Sequence, residues 1–547
     1  MAKSRKLIEK ADALIKKEKG TVFKDPGGKF NICLVYPNTY HVGMSSLGFQ
    51  GVYCMLNAMP GVLCERAFLP DPEDTGEYAR SGAELFSLES KRPLREFDMI
   101  AFSVSFENDY PNIVRALRLA NIPARAGERG PREPLLALGG IMAFTNPEPL
   151  ADFFDIVFAG EAEAILPGFI GAVRKSSGRE GLFKTLARME GLYLPSLYKI
   201  TYGPDGKISR REAAPGAPEV IEKKYVSDYR DFRMRHCILT PETEFSNMRL
   251  VELMRGCPWD CAFCLTGEVY NPPRRKPKEA IREEIDEAVA AGERVGLIGP
   301  SISDYPGINE LLDETGVEFS ITSLRAGKKS IGLLPSLKRH KKTLSVAAEA
   351  GTDRLRQVIN KKISEQDILE TSGAVLAQGM NLRLYFIAGL PTETGEDIEG
   401  IVGLVKKIRA SAPAGKITLT VSTFVPKPFT CFQWHPMESQ AVVKERLKRI
   451  KKGLSDVPGV SVFHDVPKYA YMQGVFAMGD RRLGAVLERM ADGLDYKQAL
   501  KETGLSGDYY IFRKKGFNET LPWDFIDTGM TKKTLWEMFQ KALTGPR

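Results

Sequence analysis

The chain has 547 residues, 43% hydrophobic and 27% charged, so it is long enough for several domains and ordinary in composition for a soluble globular protein. No window approaches 18 uninterrupted apolar residues, and the lysine-rich residues 1–30 lack the apolar core of a signal peptide, which argues against membrane spanning and secretion. Eight cysteines are too few and too unevenly placed for a disulfide scaffold. We therefore expect a cytoplasmic protein with no membrane partner.

The net charge of +8 is modest for this length and comes partly from two lysine-rich segments, 3–24 and 444–452. The second segment overlaps four apolar residues at helical spacing: Val443, Leu447, Ile450 and Leu454. A basic helix face without interleaved aromatic residues is more typical of a solvated surface than of nucleic-acid binding. These segments leave RNA open as a partner.

Residues 1–25 are predicted to form an amphipathic helix, which ends at a Pro-Gly-Gly turn. Residues 26–180 then alternate between strands and helices, which predicts an α/β domain with an open, doubly wound, parallel sheet of Rossmann type. The predicted strands are 30–36, 98–104, 135–138 and 156–158, and the predicted helices are 48–58 and 110–121.

Sheets of this kind bind ligands beyond the carboxyl ends of their strands. The loops there are rich in glycine and polar residues, although such glycines can also serve only to close tight turns. The candidate ligand-facing residues in these loops are Asn38, Thr39, Ser103, Ser105, Gly139, Gly140, Gly160 and Glu161.

Residues 181–245 are predicted to be a linker that contains a β-hairpin around the turn at 203–206. Regular alternation in residues 246–455 predicts a partial barrel of six parallel strands, a (β/α)6 arrangement, with chemistry on the loops that follow the strands. Its predicted strands lie near 249–254, 294–299, 317–322, 343–348, 382–388 and 416–424. Residues 456–547 are predicted to form a small helical domain that closes over the barrel.

Three cysteines, Cys257, Cys261 and Cys264, follow the first predicted barrel strand with the spacing C-x3-C-x2-C. Iron-sulfur clusters and zinc select thiolate ligands, and the next forty residues contain no Cys or His that could supply a fourth ligand. An incomplete ligand shell indicates an open coordination position. A zinc site completed by Cys237 or His236 remains an alternative at this point.

The triad, with Phe263 before its last cysteine, resembles that of the radical SAM superfamily. In that family the three cysteines ligate a 4Fe-4S cluster whose open iron chelates S-adenosylmethionine (SAM). The resemblance implies reductive cleavage of SAM to a 5'-deoxyadenosyl radical, with a flavodoxin or ferredoxin as the reductant and an unknown substrate.

Loops after the later barrel strands extend the resemblance. It implies that Glu349 accepts hydrogen bonds from the SAM ribose, that the backbone of Gly389, Leu390 and Pro391 contacts the adenine, and that the 299–301 loop meets the amino group. The usual Gly-Gly-Glu is absent from this last loop, which contains Gly299, Pro300 and Ser301. Independently of the resemblance, Arg325 could pair with a carboxylate.

The loops of residues 26–180 resemble, in order and content, the cobalamin-binding domain that precedes the radical SAM domain in one subgroup of the family. The segments Asn146–Leu150 and Gly160–Glu163 carry this likeness. The D-x-H-x-x-G signature is missing, because His41 has Thr39 and Met44 where the aspartate and glycine would stand. The resemblance implies a fold, and it leaves cobalamin binding and methyl transfer open.

Two alternative functions can be compared with the sequence. An RNA-modifying enzyme of the methylthiotransferase type would need a second cysteine triad for its auxiliary cluster, and the chain has none. A metal-stapled nucleic-acid-binding module would not explain the loops that match SAM-binding motifs.

Overall fold

The computed structural model describes residues 4–176, 178–229, 234–315, 319–320, 324–338 and 342–544. The chain divides into two compact units. The first unit comprises Met1–Met248, Gly479–Ser506 and Asn518–Gly529, and the second comprises Arg249–Met478, Gly507–Phe517 and Met530–Arg547. Residues 456–547, expected as one helical domain, are thus shared between the two units.

The strands are numbered in chain order. They are β1 (Phe30–Tyr36), β2 (Val62–Phe68), β3 (Met99–Ser103), β4 (Leu135–Gly139), β5 (Ile156–Phe158), β6 (Leu192–Tyr193), β7 (Tyr198–Tyr202), β8 (Ile208–Ala213), β9 (Ile221–Glu222), β10 (Met248–Glu252), β11 (Met254–Arg255), β12 (Arg274–Arg275), β13 (Arg294–Ile298), β14 (Phe319–Ser320), β15 (Thr343–Glu349), β16 (Asn381–Ala388), β17 (Ile417–Thr423), β18 (Val460–His464) and β19 (Ile526–Asp527).

The α-helices are numbered in the same way. They are α1 (Arg5–Lys17), α2 (Tyr40–Met44), α3 (Leu47–Ala58), α4 (Thr75–Ser81), α5 (Tyr110–Leu119), α6 (Ala162–Lys175), α7 (Gly178–Leu186), α8 (Leu265–Val269), α9 (Lys278–Ala290), α10 (Ile308–Thr315), α11 (Lys328–Lys338), α12 (Asp353–Val358), α13 (Glu365–Ala377), α14 (Gly395–Ser411), α15 (Gln440–Leu454), α16 (Pro467–Met478), α17 (Leu483–Ala491), α18 (Tyr496–Glu502), α19 (Gly507–Ile511) and α20 (Lys532–Thr544).

A six-stranded sheet with the order β2-β1-β3-β4-β5-β6 organises the first unit. Strands β1 to β5 are parallel and β6 is antiparallel to β5. The doubly wound parallel sheet predicted from the sequence is therefore present. Since the chain order reverses between β1 and β3, the carboxyl edge at these two strands is the position where such sheets bind ligands.

Strand β2 was not predicted, because charged residues interrupt its apolar run. Arg66 is fully buried there, and its guanidinium forms ion pairs of 2.7 Å with both Glu18 and Glu89. Burial of a charge is tolerated when it is paired and hydrogen-bonded in this way. The pairing depends on tertiary contacts, so hydrophobic periodicity alone could not reveal it.

The second unit contains a three-stranded sheet, β10-β13-β14, and a four-stranded parallel sheet, β15-β16-β17-β18. A parallel bridge between Leu324 and Val346 links the two sheets. Together they form the expected partial barrel, with helices α13 to α15 packed on one face of the four-stranded sheet. Of the predicted strand 317–322, the described residues form β14, and the others lie outside the described parts of the chain.

Strand β18 corrects the sequence prediction, which ended the barrel after its sixth strand. Val460–His464 adds a seventh strand in parallel register with β17, where a helical domain was expected. In the described parts of the chain no helix is long and apolar enough to cross a membrane. Cys54 and Cys237 form a disulfide with Cα atoms 6.1 Å apart, which removes the Cys237 thiolate from the zinc alternative.

Candidate metal and SAM site

The three triad cysteines lie in a loop that is closed at its base by an antiparallel ladder. Met254 pairs with Arg275 and Arg255 pairs with Arg274 across this ladder. At Gly256 the backbone has φ +77°, and a Cβ atom there would lie 2.4 Å from the Tyr270 carbonyl oxygen. The fold therefore requires glycine directly before the first cysteine.

Each of the three thiols is free and partly exposed. Among the described residues, only Asp71, Glu73 and Asp74 bring three candidate ligand atoms within 4.8 Å of one another. At least one pair of the three sulfur atoms therefore lies more than 4.8 Å apart, beyond the roughly 3.8 Å that tetrahedral bonds to one zinc ion would give. This spacing fits a larger group, such as a multi-iron cluster, better than a single ion.

Burial raises the pKa of Cys257 and raises that of Cys261 to about 11, while the nearby Lys361 and Arg325 cations oppose the increase. A metal centre needs thiolates, and bound metal ions supply the charge that deprotonates buried thiols. The two cations lower the cost of collecting several thiolates in one loop.

A short turn after α12 holds the cysteine loop in place. The Ala262 amide donates to the Ile359 carbonyl (2.9 Å), and the Asn360 side-chain amide donates to the Asp260 carbonyl (3.0 Å). Lys362 forms an ion pair of 2.8 Å with the Asp260 carboxylate. Three separate contacts thus join the loop after the first barrel strand to the turn that follows α12.

Arg325 does not meet a carboxylate in this structure. Its guanidinium stacks 3.7 Å from the ring centroid of Trp259 and donates to the backbone carbonyls of Lys361 and Lys362. Arg325 therefore joins the cysteine loop to the 359–362 turn, and its pairing with a carboxylate of a ligand stays a prediction.

Glu349 ends β15 in a left-handed conformation with φ +62°, next to a register shift between Ala347 and Glu349. A non-glycine residue held in this region is a strained position of the kind that clusters at functional sites. Its carboxylate forms an ion pair of 2.8 Å with Lys361, and both side chains are mostly buried. Arg354, on the helix that follows, pairs instead with Asp397.

Lys361 is the residue beside Glu349 that the sequence patterns did not reveal. It lies between Asn360 (φ +53°) and Lys362 (φ +49°), and this pair of left-handed residues returns the chain to the end of β15. The Lys-Lys pair after a helix looks like a solvated terminus in sequence. A positive charge twelve residues beyond a predicted ligand-binding glutamate is the only signal that could have drawn attention to it.

The loop after β16 presents backbone groups. Leu390 is 3% exposed and Pro391 is also buried, so their side chains serve packing. The Gly389 amide donates to Glu393 (2.9 Å), and Glu393 pairs with Arg446 at 2.8 Å. Burial raises the pKa of Glu393 to about 7, although the Gly389 amide and Arg446 act in the opposite direction.

The 299–301 segment contacts the cysteine loop through one acceptor. The Ser301 hydroxyl (2.8 Å) and the Trp259 indole N–H (2.7 Å) both donate to Asp304. A Cβ atom on Gly299 would lie 3.1 Å from the Met254 side chain. Gly299, Pro300 and Ser301 thus pack beside the base of the cysteine loop.

In the first unit, the carboxyl edge of the sheet carries most of the predicted loop residues. Asn38 donates to Asp109 at 2.8 Å, directly at the reversal between β1 and β3. Burial raises the pKa of Asp109 to about 6. Thr39, Ser103, Ser105 and Gly139 are partly or fully exposed along this edge.

Glycine is needed at positions 140 and 160 because a side chain there would meet backbone atoms. A Cβ atom on Gly140 would lie 2.5 Å from the Val104 carbonyl oxygen, and one on Gly160 would lie 2.1 Å from the Lys224 carbonyl oxygen. Glu161 is buried and accepts from the Val226 amide at 2.9 Å. Gly160 and Glu161 are therefore covered by the 224–226 segment, which corrects their expected place in a cofactor-facing loop.

A partial parallel barrel with a three-thiol loop after its first strand defines a class of metal-dependent enzymes. Residues 251–405 match the Radical SAM superfamily, and residues 48–195 match the family of radical SAM proteins, N-terminal. The chain belongs to the radical SAM superfamily.

A similar full-length relative is the uncharacterized protein MJ0966 of Methanocaldococcus jannaschii, 30% identical over 500 residues, which are 89% of this chain and 97% of the relative. A tRNA-2-methylthio-N(6)-dimethylallyladenosine synthase of Sorangium cellulosum is 28% identical over 194 residues, 29% of this chain and 38% of that protein. This chain therefore spans well under two thirds of that synthase.

Two solved structures align with part of the chain. The radical SAM methyltransferase TsrM from Kitasatospora setae, solved with cobalamin and a [4Fe-4S] cluster, has a TM-score of 0.46 at 14% identity and covers 72% of this chain and 75% of its own. The cobalamin-dependent SAM radical enzyme OxsB has a TM-score of 0.43 at 13% identity and covers 69% of this chain and 52% of its own.

Proposed function

We propose that this protein reductively cleaves SAM, with Cys257, Cys261 and Cys264 as the ligands of a 4Fe-4S cluster. The observation that carries the proposal is the loop itself. Three partly exposed thiols, spread too widely for one zinc ion, follow the first barrel strand beside two cations. When bound, the cluster supplies the electron that splits SAM into methionine and a 5'-deoxyadenosyl radical.

The residues of the chain position SAM and exclude water. The Glu349 carboxylate, which is paired with Lys361, can accept hydrogen bonds from the two ribose hydroxyls. Gly389, Leu390 and Pro391 offer backbone groups to the adenine, since the side chains of the last two are buried. Arg325 and the 299–301 segment keep the cysteine loop in position.

The proposal is tested by anaerobic reconstitution with iron and sulfide, followed by electron paramagnetic resonance of the dithionite-reduced protein. We expect about four iron atoms per chain, the number in the proposed cluster, and the signal of a reduced 4Fe-4S centre. Replacing each triad cysteine by Ser should remove the signal, whereas Cys431→Ser should keep it, because Cys431 is buried elsewhere in the second unit. A Cys→Ser triad variant that retains full iron would contradict the ligand assignment.

A second candidate function, cobalamin-dependent methyl transfer, is favoured by the sheet of the first unit. Its strand order reverses between β1 and β3, and polar or glycine residues mark that edge: Asn38, Thr39, Ser103, Ser105, Gly139 and Gly140. The test is incubation with hydroxocobalamin followed by desalting. Retained cobalt near one atom per chain would support this function, and absence of cobalt would contradict it.

Partners follow from the same proposal. Reduction of the cluster needs a low-potential electron donor such as flavodoxin or ferredoxin, and a cytoplasmic location of the protein is part of the proposal. An RNA substrate would extend the likeness to the tRNA-modifying relatives. The chain lacks a second cysteine triad, so methylthiolation is not part of the proposal.

A further inference from the structure

The four-stranded sheet of the second unit has two faces of opposite character. Leu382, Leu384 and Phe386 of β16 point to the face covered by helices and belong to the main core. The alternate residues, Arg383 and Tyr385, point to the other face, which in a strand-helix barrel is the interior. That interior face is polar and partly exposed.

The register of the strands fixes which side chains stand beside one another on the interior face. In one row Ser345 aligns with Arg383, then with Thr418 and Ser461. In the next row Ala347 aligns with Tyr385, then with Thr420 and Phe463. Neighbouring strands lie about 4.8 Å apart, so Tyr385 and Phe463 are separated by roughly 10 Å across Thr420.

This second row has the geometry of a slot. Two aromatic side chains stand on either side of a threonine. A planar ring stacked between two others needs about 7 Å between the outer planes, twice the roughly 3.5 Å of a van der Waals contact, so a gap of roughly 10 Å is wide enough to admit one. Phe463 is 61% exposed, although large apolar side chains at such a position are usually covered. A planar ligand between Tyr385 and Phe463 would cover it.

Polar groups on the same face have no partner in the described parts of the chain. Arg383 forms no ion pair or hydrogen bond there, and neither do the side chains of Thr418, Thr420 and Ser422. Ser345 is 8% exposed and its hydroxyl is likewise without a described partner. Arg383 is exposed and the three hydroxyl residues are partly exposed, so these side chains are accessible to a ligand.

The charge of this face further restricts the chemical class of the ligand. Arg383 is the only charged residue among the interior-facing positions of β16, β17 and β18, so the local charge is positive. It lies two residues, or roughly 7 Å, from Tyr385 along the strand. An anionic group attached to a ring in the slot would therefore meet a guanidinium whose planar fork suits phosphate and carboxylate.

We propose that the interior face of β16–β18 is the substrate site and that it takes a planar heteroaromatic ring bearing an anionic group, with the ring between Tyr385 and Phe463 and the anion on Arg383. The role as substrate site rests on the proposed SAM cleavage. Arg383 is exposed and stands five residues, roughly 17 Å, before the end of β16, so the anion would bind near the start of this strand and the ring nearer the SAM loops.

The test measures binding to the cluster-loaded full chain with SAM present in excess, so that the adenine position of SAM is filled. AMP is the main probe, adenosine and inorganic phosphate are its two halves, and indole-3-acetate represents an aromatic acid that is not a nucleotide. We expect Arg383→Ala to weaken AMP binding about tenfold and Phe463→Ala to weaken it severalfold. Arg383→Lys should recover part of the loss because it keeps the charge.

Lys448→Ala is the matched control, because Lys448 is an exposed lysine of α15 on the helix-covered side. It should leave AMP binding unchanged. Adenosine binding should weaken in Phe463→Ala but not in Arg383→Ala. Phosphate binding should weaken in Arg383→Ala but not in Phe463→Ala. Preference for AMP over indole-3-acetate would indicate a nucleotide, and the opposite preference an aromatic acid.

The inference is overturned if neither anionic probe binds at millimolar concentration, or if both bind equally to wild type and Arg383→Ala. Failure of the proposed function is a separate result. It would appear as an absence of 5'-deoxyadenosine, independently of whether the probes bind. Arg383-dependent AMP binding without any SAM cleavage would keep the anion and ring site but remove its role in radical chemistry.

Discussion

At the scale of one residue, the position of Glu349 could be predicted from the sequence but its ion-pair partner could not. Its position after the fourth barrel strand and its similarity to a family motif predicted a SAM contact. Its partner could not be predicted, because Lys361 reaches it only through two left-handed residues, Asn360 and Lys362. Backbone conformations of this kind are set by tertiary contacts and leave no periodic signal.

The first prediction concerns the charge of Glu349. Glu349→Gln keeps the shape but removes the anion that would accept the ribose hydroxyls, so SAM affinity should fall about tenfold, or ~1.4 kcal/mol. Equilibrium dialysis of SAM against the reconstituted protein measures it. Glu370→Gln, at an exposed glutamate of α13, is the control, and equal SAM affinity in Glu349→Gln and wild type would remove Glu349 from the site.

The second prediction concerns pH and Glu393. Its pKa is raised to about 7 in the folded protein, above the 4.5 of a free glutamate, so the folded state binds more protons between these values. Stability contributed by this group is therefore present below about pH 4.5 and is lost as pH rises toward 7, by about 3 kcal/mol in full.

Glu393→Gln removes this titration. Denaturant unfolding at pH 5 and pH 8 should show a smaller loss of stability with rising pH in the variant than in wild type. Identical pH dependence in the two proteins would mean that Glu393 is ionised throughout.

At the scale of elements, the cysteine loop depends on glycine at its base. Gly256→Ala would place a Cβ atom 2.4 Å from the Tyr270 carbonyl oxygen and 3.0 Å from the Pro273 Cα atom. Backbone atoms on both sides leave little room to relax, so the loop should shift and hold iron less well. We expect the reconstituted iron content to fall by more than half.

Gly292→Ala provides a matched control for this prediction. Gly292 also has positive φ (+69°), but a Cβ atom there would meet nothing within 4 Å. The substitution should cost about 1 kcal/mol of stability through its backbone alone and leave iron content unchanged. Equal iron loss in both variants would show that general destabilisation, rather than the loop base, is responsible.

Elements with uninterrupted apolar runs were predictable, and those that rely on tertiary pairing were not. Strand β1, buried from Ile32 to Tyr36, and helix α3, which was predicted over 48–58, match the sequence prediction. Strand β18 was missed because it is an edge strand whose alternate residues, such as Phe463, remain exposed. Its register with β17 creates the slot proposed above, so the substrate site could not have been predicted without the structure.

At the scale of the whole molecule, segments that are distant in the sequence belong to the same compact unit. Segments 479–506 and 518–529 belong to the first unit although they follow the barrel in sequence. In the first unit, Arg481 forms an ion pair of 3.1 Å with the buried Glu148. Contacts more than 300 residues apart in sequence cannot be found from local patterns.

The disulfide supports a prediction at this scale. Cys54 and Cys237 are separated by 183 residues, and closing so long a loop restricts the unfolded chain by up to about 5 kcal/mol. Reductant should therefore lower the free energy of unfolding of the first unit by about 2–5 kcal/mol. Cys54→Ser should already show the lower stability and should not respond to reductant, whereas an equal response in both proteins would argue against this pairing.

The most direct test of the account is the formation of 5'-deoxyadenosine from SAM by the anaerobically reconstituted, dithionite-reduced protein. We predict a broad visible absorption that dithionite bleaches, together with 5'-deoxyadenosine and methionine in equal amounts, all lost when Cys257, Cys261 and Cys264 are replaced together by Ser. A protein that instead retains one zinc ion per chain and leaves SAM intact would contradict the account.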